Sequence, residues 1–188
     1  MRIVLASQSP RRLELLKEAG FVPEVHPANF NEVSGTAVQA AEVVGFNARG
    51  KCLEVAGRLG DIVPVLGADT VVVIDGRIIG KPRDGADARA TLHRLSGRGH
   101  EVLTGMTVAY RGRVLSRVAR TEVYFKQLTD GEIDAYVATG DPLDKAGSYG
   151  IQDGGGFLVD HIVGHRDNVV GLDVATVLEM LQSLGYED

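Results

Sequence analysis

The apolar run Ile3-Val4-Leu5-Ala6 passes directly into Ser7-Gln8-Ser9-Pro10-Arg11-Arg12, and then into a helical pattern of Leu13, Leu15, Leu16 and Ala19. That succession predicts a strand, a tight turn and a helix opening, so the chain is committed to a mixed α/β topology from its first residues. Ser9 suits the N-cap, and Pro10 suits the first helical position, where its missing N–H costs nothing. Gly20 suits the stop just past the helix end. A helix N-terminus gathers unpaired N–H groups and the positive end of the helix dipole. Ser7, Ser9, Arg11 and Arg12 converge on that point, which describes an anion site, most simply a phosphate site. A capped helix carrying two solvated arginines is the alternative reading of the same residues.

Strand-like and helix-like patterns then alternate. Glu24-Val25-His26 reads as a short strand, and Pro27 to Gly35 as a loop carrying Glu32. From Thr36 to about Ala56, Val38, Ala41, Val44, Ala48 and Cys52 share one helical face. Ile62 to Leu66 and Val71 to Ile74 are β-branched and continuous, the mark of buried strand. Asp75-Gly76 predicts a hairpin returning through Arg77-Ile78-Ile79. A helix is expected from an Asp84 cap to Leu95, and two long strands over Glu101–Tyr110 and Val114–Phe125. Thr129 with Glu132 forms a capping box for a helix through Thr139. Phe157–Val163 reads as strand and Val174–Leu184 as the last helix, closed by Gly185. No repeat, linker or low-complexity tract breaks the chain, so residues 1–188 are expected to form one domain. The fold class is α/β, with a long, partly antiparallel sheet and flanking helices.

Composition narrows the partners. A net charge of −5 argues against general nucleic-acid binding, yet leaves room for a local basic pocket that takes a small phosphorylated ligand. The single cysteine, Cys52, allows no internal disulfide and fits a reducing, cytoplasmic home as a small buried side chain. No signal peptide and no membrane-crossing apolar run is expected.

The candidate chemistry is read from the connections between elements. Gly67-Ala68-Asp69-Thr70 interrupts a very apolar region, where a carboxylate is costly unless paired, hydrated or metal-bound. Asp69 therefore reads as a catalytic or metal-binding group, with a turn-capping Asp as the alternative. Lys81, held extended by Pro82, and Lys51 offer ammonium groups to a phosphate, though either alone is equally a surface charge. Asp141 to Gln152 forms a long loop of the kind that carries function. Gln152 has the paired donor and acceptor that suit a base edge, and Gly154-Gly155-Gly156 follows it. The histidines show no metal-ligand spacing and read as structural or surface residues.

Taken together, these motifs and Asn168-Val169-Val170-Gly171-Leu172 resemble the Maf family of nucleoside-triphosphate pyrophosphatases, nearly end to end. The resemblance implies a Maf/Ham1 (ITPase-like) fold, an elongated mixed β-sheet with two lobes around a central cleft. It implies hydrolysis of a triphosphate between the α and β phosphorus atoms with a divalent metal, Mg2+ or Mn2+. By position, Asp69 matches the general base, and Ser7, Ser9, Arg12, Lys51 and Lys81 the polar and cationic phosphate-facing positions. Glu32 matches an acidic active-site position engaged with metal or water, and Glu32 and Asp69 are the expected metal ligands. Arg11, Thr70 and Gln152 match the specificity positions. The branch acting on 7-methylguanosine triphosphate has Trp, Gln and Glu there, suited to a cationic purine; Arg, Thr and Gln match the branch preferring dTTP and UTP. CTP and modified pyrimidine triphosphates are further expected substrates, and a homodimer is expected. Asn29 and Asn31 are less acidic than the family's usual segment, Asp153 replaces a usual Gly, and Asp173 a usual Pro. A second reading is a nucleotide-binding regulator of septum formation with little turnover.

Overall fold

Strand β1 (Arg2–Leu5) and helix α1 (Pro10–Glu18) form where the sequence places them, in a computed structural model that describes residues 1–34 and 39–187. The Ser9 hydroxyl caps α1 by accepting from the Arg12 N–H, with Pro10 at the helix start. Gly20 follows the end at φ 84°, a conformation that favours glycine. Strand β2 is Val22–Val25, two residues earlier than expected, and pairs parallel to β1. Helix α2 covers Ala40–Leu59, three residues beyond the expected end; the expected start at Thr36 to Val38 lies outside the described residues. Val44, Ala48 and Cys52 are fully buried, as their shared face requires.

Strand β3 (Val65–Ile74) corrects two expectations. Ile62 and Val63 precede it, because Pro64 has no N–H for the ladder; Ile62 is 81% exposed. Gly67 to Thr70, expected to break the strand, continue it. The Ala6 N–H donates to the Leu66 carbonyl at 2.8 Å, and β1 and β3 run parallel. Asp69 therefore stands on a strand and not in a loop.

Asp75 and Gly76 turn at φ 52° and 69°, both left-handed, as a two-residue hairpin demands. Strand β4 (Arg77–Ile79) returns antiparallel to β3. Helix α3 (Gly85–Leu95) is capped by Asp84, and strands β5 (Gly99–Tyr110) and β6 (Arg113–Phe125) follow. Helix α4 (Asp130–Ala138) starts with the expected Thr129 and Glu132 capping box. Strand β7 (Val159–Val163), antiparallel to β6, begins two residues late because Gly154–Leu158 winds into a 3-10 turn. The Asp141–Gln152 loop also contains short 3-10 turns, at Asp141–Asp144 and Ala146–Ser148. Helix α5 (Arg166–Val170) is too short for periodicity to reveal. Helix α6 (Val174–Ser183) is capped by Asp173, whose Oδ1 accepts from the Thr176 N–H at 3.2 Å. That cap gives the departure from Pro a local physical reason.

Among the described residues the sheet order is β2-β1-β3-β5-β6-β7, with β4 on β3, a mixed parallel and antiparallel arrangement. The chain divides into two compact units. The first comprises the described residues of Met1–Thr70, Thr104–Ala119 and Gly171–Asp188; the second comprises Val71–Leu103 and Arg120–Val170. Strands β3, β5 and β6 contribute to both. In the first unit Val4, Ala6, Cys52, Val55, Val65 and Ala109 pack together. In the second, Leu92, Val102, Phe125, Ile133, Tyr149 and Leu158 form part of the core.

Two glycines set the spacing of the first unit. A Cβ on Gly67 would lie 2.3 Å from the Ala48 carbonyl oxygen, and one on Gly105 would lie 2.2 Å from that of Val44. Helix α2 thus touches the backbones of β3 and β5, and its polar residues reach Asp69 directly.

Candidate active site

Asp69 is 9% exposed, on a strand whose apolar neighbours give it no reason to be charged. Helix α2 supplies the compensation from residues one turn apart. Lys51 Nζ donates to Asp69 Oδ1 at 3.1 Å, and Asn47 Nδ2 donates to Asp69 Oδ2 at 2.9 Å. Lys51 Nζ also donates to the Ala68 carbonyl at 3.2 Å and pairs with Glu32 Oε1 at 2.6 Å. All three ammonium donors are thereby committed. Lys51, expected to face phosphate, here joins the two acidic residues.

The segment carrying Glu32 is laid along the same helix. The Asn29 N–H donates to Glu54 Oε2 at 3.0 Å. The Phe30 ring occupies the space over Gly50 that a side chain would fill, its nearest atom 2.1 Å from where a Cβ would stand. Val33 is bonded through both backbone groups to Asn47: its N–H donates to Oδ1 at 2.8 Å, and its carbonyl accepts from Nδ2 at 3.0 Å. Asn47, Gly50, Lys51 and Glu54 share a face at helical spacing. Sequence reasoning missed Asn47. Its signal was a polar residue among the apolar face positions, four residues before Lys51.

Successive residues of a strand point to opposite faces, and Thr70 meets a different set of partners from Asp69. The Arg12 guanidinium is buried and fully engaged: Nε donates to the Gly171 carbonyl at 2.8 Å, Nη1 to Ser7 Oγ at 3.1 Å, and Nη2 to Thr70 Oγ1 at 3.0 Å. Thr70 Oγ1 lies 2.9 Å from Thr104 Oγ1. Ser7 Oγ also accepts from the Ser9 N–H at 3.1 Å. Burial pulls the Arg12 guanidinium below the ordinary arginine range, and the nearby Asp69 charge pulls the other way. Arg11 is half-buried beside it. The first unit therefore brings together Ser7, Ser9, Arg11, Arg12, Glu32, Lys51, Asp69 and Thr70.

Lys81 and Gln152 belong to the second unit. Lys81 is exposed just past β4, and Gln152 is half-buried in a turn. Their motifs are tied within that unit, since the Gly147 N–H donates to the Gly80 carbonyl at 3.2 Å. Next to Gln152, the buried Lys145 ammonium pairs with Asp141 at 2.8 Å, Asp144 at 3.0 Å and Asp153 at 3.6 Å. Asp153, in place of the usual Gly, thus enters an ion cluster. Burial pulls the Lys145 ammonium down, but its hydrogen bonds to Asp141 and Asp144 prevail and raise it.

Glu32 and Asp69 offer hard oxygen donors around one shared cationic group, a donor set that fits Mg2+ or Mn2+ better than a soft metal. Among the described residues no group of three or more His, Cys, Asp or Glu is placed to hold a metal ion. An ion there would take its other ligands from water and substrate phosphate, as Mg2+ commonly does. Cys52 takes no part: it is buried, its thiol pushed up to about 12 by burial. No helix among the described residues is long and apolar enough to cross a membrane.

Comparison with known proteins bears on the family and the fold. Three relatives bear the name dTTP/UTP pyrophosphatase. One from Bacillus pumilus (strain SAFR-032) is 45% identical over 184 residues, covering 98% of this chain and 97% of its own. One from Geotalea uraniireducens (strain Rf4) is 46% identical, covering 97% and 95%. One from Anaeromyxobacter sp. (strain Fw109-5) is 49% identical, covering 98% and 90%. Among solved structures, the Ham1 protein of Staphylococcus aureus superposes with a TM-score of 0.56 at 15% identity, covering 98% of this chain and 100% of that one. A HAM1 protein from Coxiella burnetii gives 0.56 at 19% identity, covering 96% and 99%. At those identities the likeness concerns the fold, and the expected Ham1-like mixed α/β architecture is the one observed. The pattern described by the words Maf-like protein matches residues 2–184. The chain belongs to the Maf-like protein family.

Proposed function

We propose that this chain is a nucleoside-triphosphate pyrophosphatase that hydrolyses dTTP and UTP to the monophosphate and pyrophosphate. The observation that carries the reading is the Asp69 carboxylate, buried on β3 and gripped at both oxygens by α2. A carboxylate so fixed is suited to orient a water and take its proton as the oxygen attacks the α phosphorus. The bond from that phosphorus to its bridging oxygen breaks, and pyrophosphate leaves with the electron pair.

Phosphoryl-type transfer depends mainly on positioning and on offsetting charge. Arg12, Lys51, the hydroxyls of Ser7 and Ser9, and the α1 N-terminus supply that charge and those donors from the first unit. Lys81 keeps a phosphate-binding role on the strength of its motif. Glu32 and Asp69 would hold a divalent cation, which when bound supplies further charge neutralisation and a more acidic water. Arg11, Thr70 and Gln152 would set the preference for a pyrimidine base, Gln152 through its paired donor and acceptor. CTP and modified pyrimidine triphosphates fall within the same reading. The names of the relatives favour turnover over the alternative of a septum regulator with little activity. A cytoplasmic location and a homodimer accompany the proposal.

The test is product identity with purified protein and Mg2+. Release of pyrophosphate from dTTP and UTP is expected; orthophosphate as the product, or no turnover at all, refutes the reading. Asp69→Asn should lower kcat by about 10²- to 10⁴-fold while nucleotide binding persists.

A further inference from the structure

We infer that Asn47 is a positioning residue for the catalytic carboxylate, an inference that rests on the role proposed for Asp69. Asn47 is 2% exposed, yet its side chain makes hydrogen bonds through both Oδ1 and Nδ2. The Val33 N–H can only donate, so the atom facing it at 2.8 Å is Oδ1. Nδ2 is thereby fixed as the donor shared between the Val33 carbonyl at 3.0 Å and Asp69 Oδ2 at 2.9 Å. The amide has one orientation, imposed by the backbone of the segment next to Glu32.

Two consequences follow. Lys51 holds Asp69 Oδ1 at 3.1 Å and Asn47 holds Oδ2, so the carboxylate plane is set by two side chains one helical turn apart. A single lysine contact would leave the carboxylate free to rotate about its last bond. Asn47 also binds Val33 to α2, which keeps Glu32 at the far side of Lys51. The residue thus holds in register the two acids proposed to share a metal ion. It touches neither substrate nor water in this assignment and acts through Asp69.

The experiment is a double-mutant cycle on dTTP turnover, with binding measured on a dTTP analogue whose α,β bridge is methylene. Asn47→Leu should lower kcat about 10- to 100-fold, the usual range for partners that orient a catalytic ligand. KM and analogue affinity should stay within about threefold of wild type. The double variant with Asp69→Asn should be no slower than Asp69→Asn alone, because both changes act through one carboxylate. Wild-type kcat in Asn47→Leu, a loss confined to KM, or fully additive losses would each overturn the inference. Asn47→Asp covers the case in which the leucine variant does not fold. It keeps the acceptor for Val33 but loses the donor to Asp69, so full activity in it is equally fatal. If the wild type releases no pyrophosphate, the proposed function fails by itself. Amide exchange then still decides the anchoring: Val33 should lose protection in Asn47→Leu while the buried turns of α2 keep theirs, and unchanged Val33 protection refutes it.

Discussion

Arg12 shows how much a single side chain is asked to do here. Its guanidinium is buried, and each of its three nitrogens meets a protein acceptor: a backbone carbonyl, a serine and a threonine. Residues 7 and 12 lie far in sequence from Thr70 and Gly171, so this one group ties the start of the chain, β3 and the segment before α6 into one polar junction. The planar fork makes that possible, and a lysine carries only a point charge on a flexible stem. Arg12→Lys should therefore destabilise the protein by about 1–3 kcal/mol, since two acceptors lose their charged donor. It should also raise the KM for dTTP by roughly tenfold, because the junction lies at the anion-attracting end of α1. Urea unfolding and steady-state kinetics on the same preparation check both; an unchanged unfolding midpoint would mean that water replaces the guanidinium.

Helix α2 works as a ruler, and Gly50, one of its three glycines, has a structural reason. Glycine in a helix interior is less favourable than alanine by about 1 kcal/mol, yet Gly50 stands in the middle of α2. The Phe30 ring fills the space where a Cβ would be, so the glycine lets the Asn29–Val33 segment lie flat on the helix. Gly50→Ala should separate stability from activity. Phe30 lies near the surface and can swing out, so the unfolding midpoint should hold or rise by up to about 1 kcal/mol. The Glu32 segment should lift from α2, lowering kcat with Mg2+ by about fivefold or more, within the range seen when supporting contacts of a metal site are lost. Calorimetric stability and turnover read the two arms, and equal losses in both would contradict the argument. This part of the site was illegible in the sequence for a physical reason. Asn47, Gly50 and Glu54 matter through what crosses them, and the crossing segment has no periodicity of its own. Asp69 was legible because a carboxylate within an apolar run needs explaining wherever the strand begins. Its placement in a connection was mistaken because Gly67 and Ala68 read as a break, whereas Gly67 lacks a side chain where α2 approaches the strand.

At the scale of the whole chain, the alternation of strands and helices was readable because β-branched runs, caps and turn glycines each act locally. Sheet order and the division into two units arise from contacts between distant segments, which local patterns do not encode. The same holds for buried polar groups. His100 reads as an ordinary histidine in sequence, but in the second unit it is 4% exposed, packed edge-on against Phe125 and Tyr149. Its Nε2 lies 2.7 Å from the Tyr149 hydroxyl, while Nδ1 has no hydrogen-bond partner among the described residues. Burial lowers the imidazole from 6.5 to about 4. The sign of the consequence follows from linkage: the unfolded chain takes up a proton near the ordinary value, and the folded chain resists until much lower pH. His100 therefore adds no penalty above that ordinary value, and its neutrality costs stability progressively as pH falls below it. Between pH 7 and pH 5 this amounts to about 1–2 kcal/mol. His100→Gln offers Tyr149 an amide that does not titrate. Urea unfolding at both pH values should show the wild type losing about 1–2 kcal/mol more than the variant on acidification. Parallel losses would mean that the buried ring is protonated without resistance, and that the packing around Tyr149 opens to water before the chain unfolds.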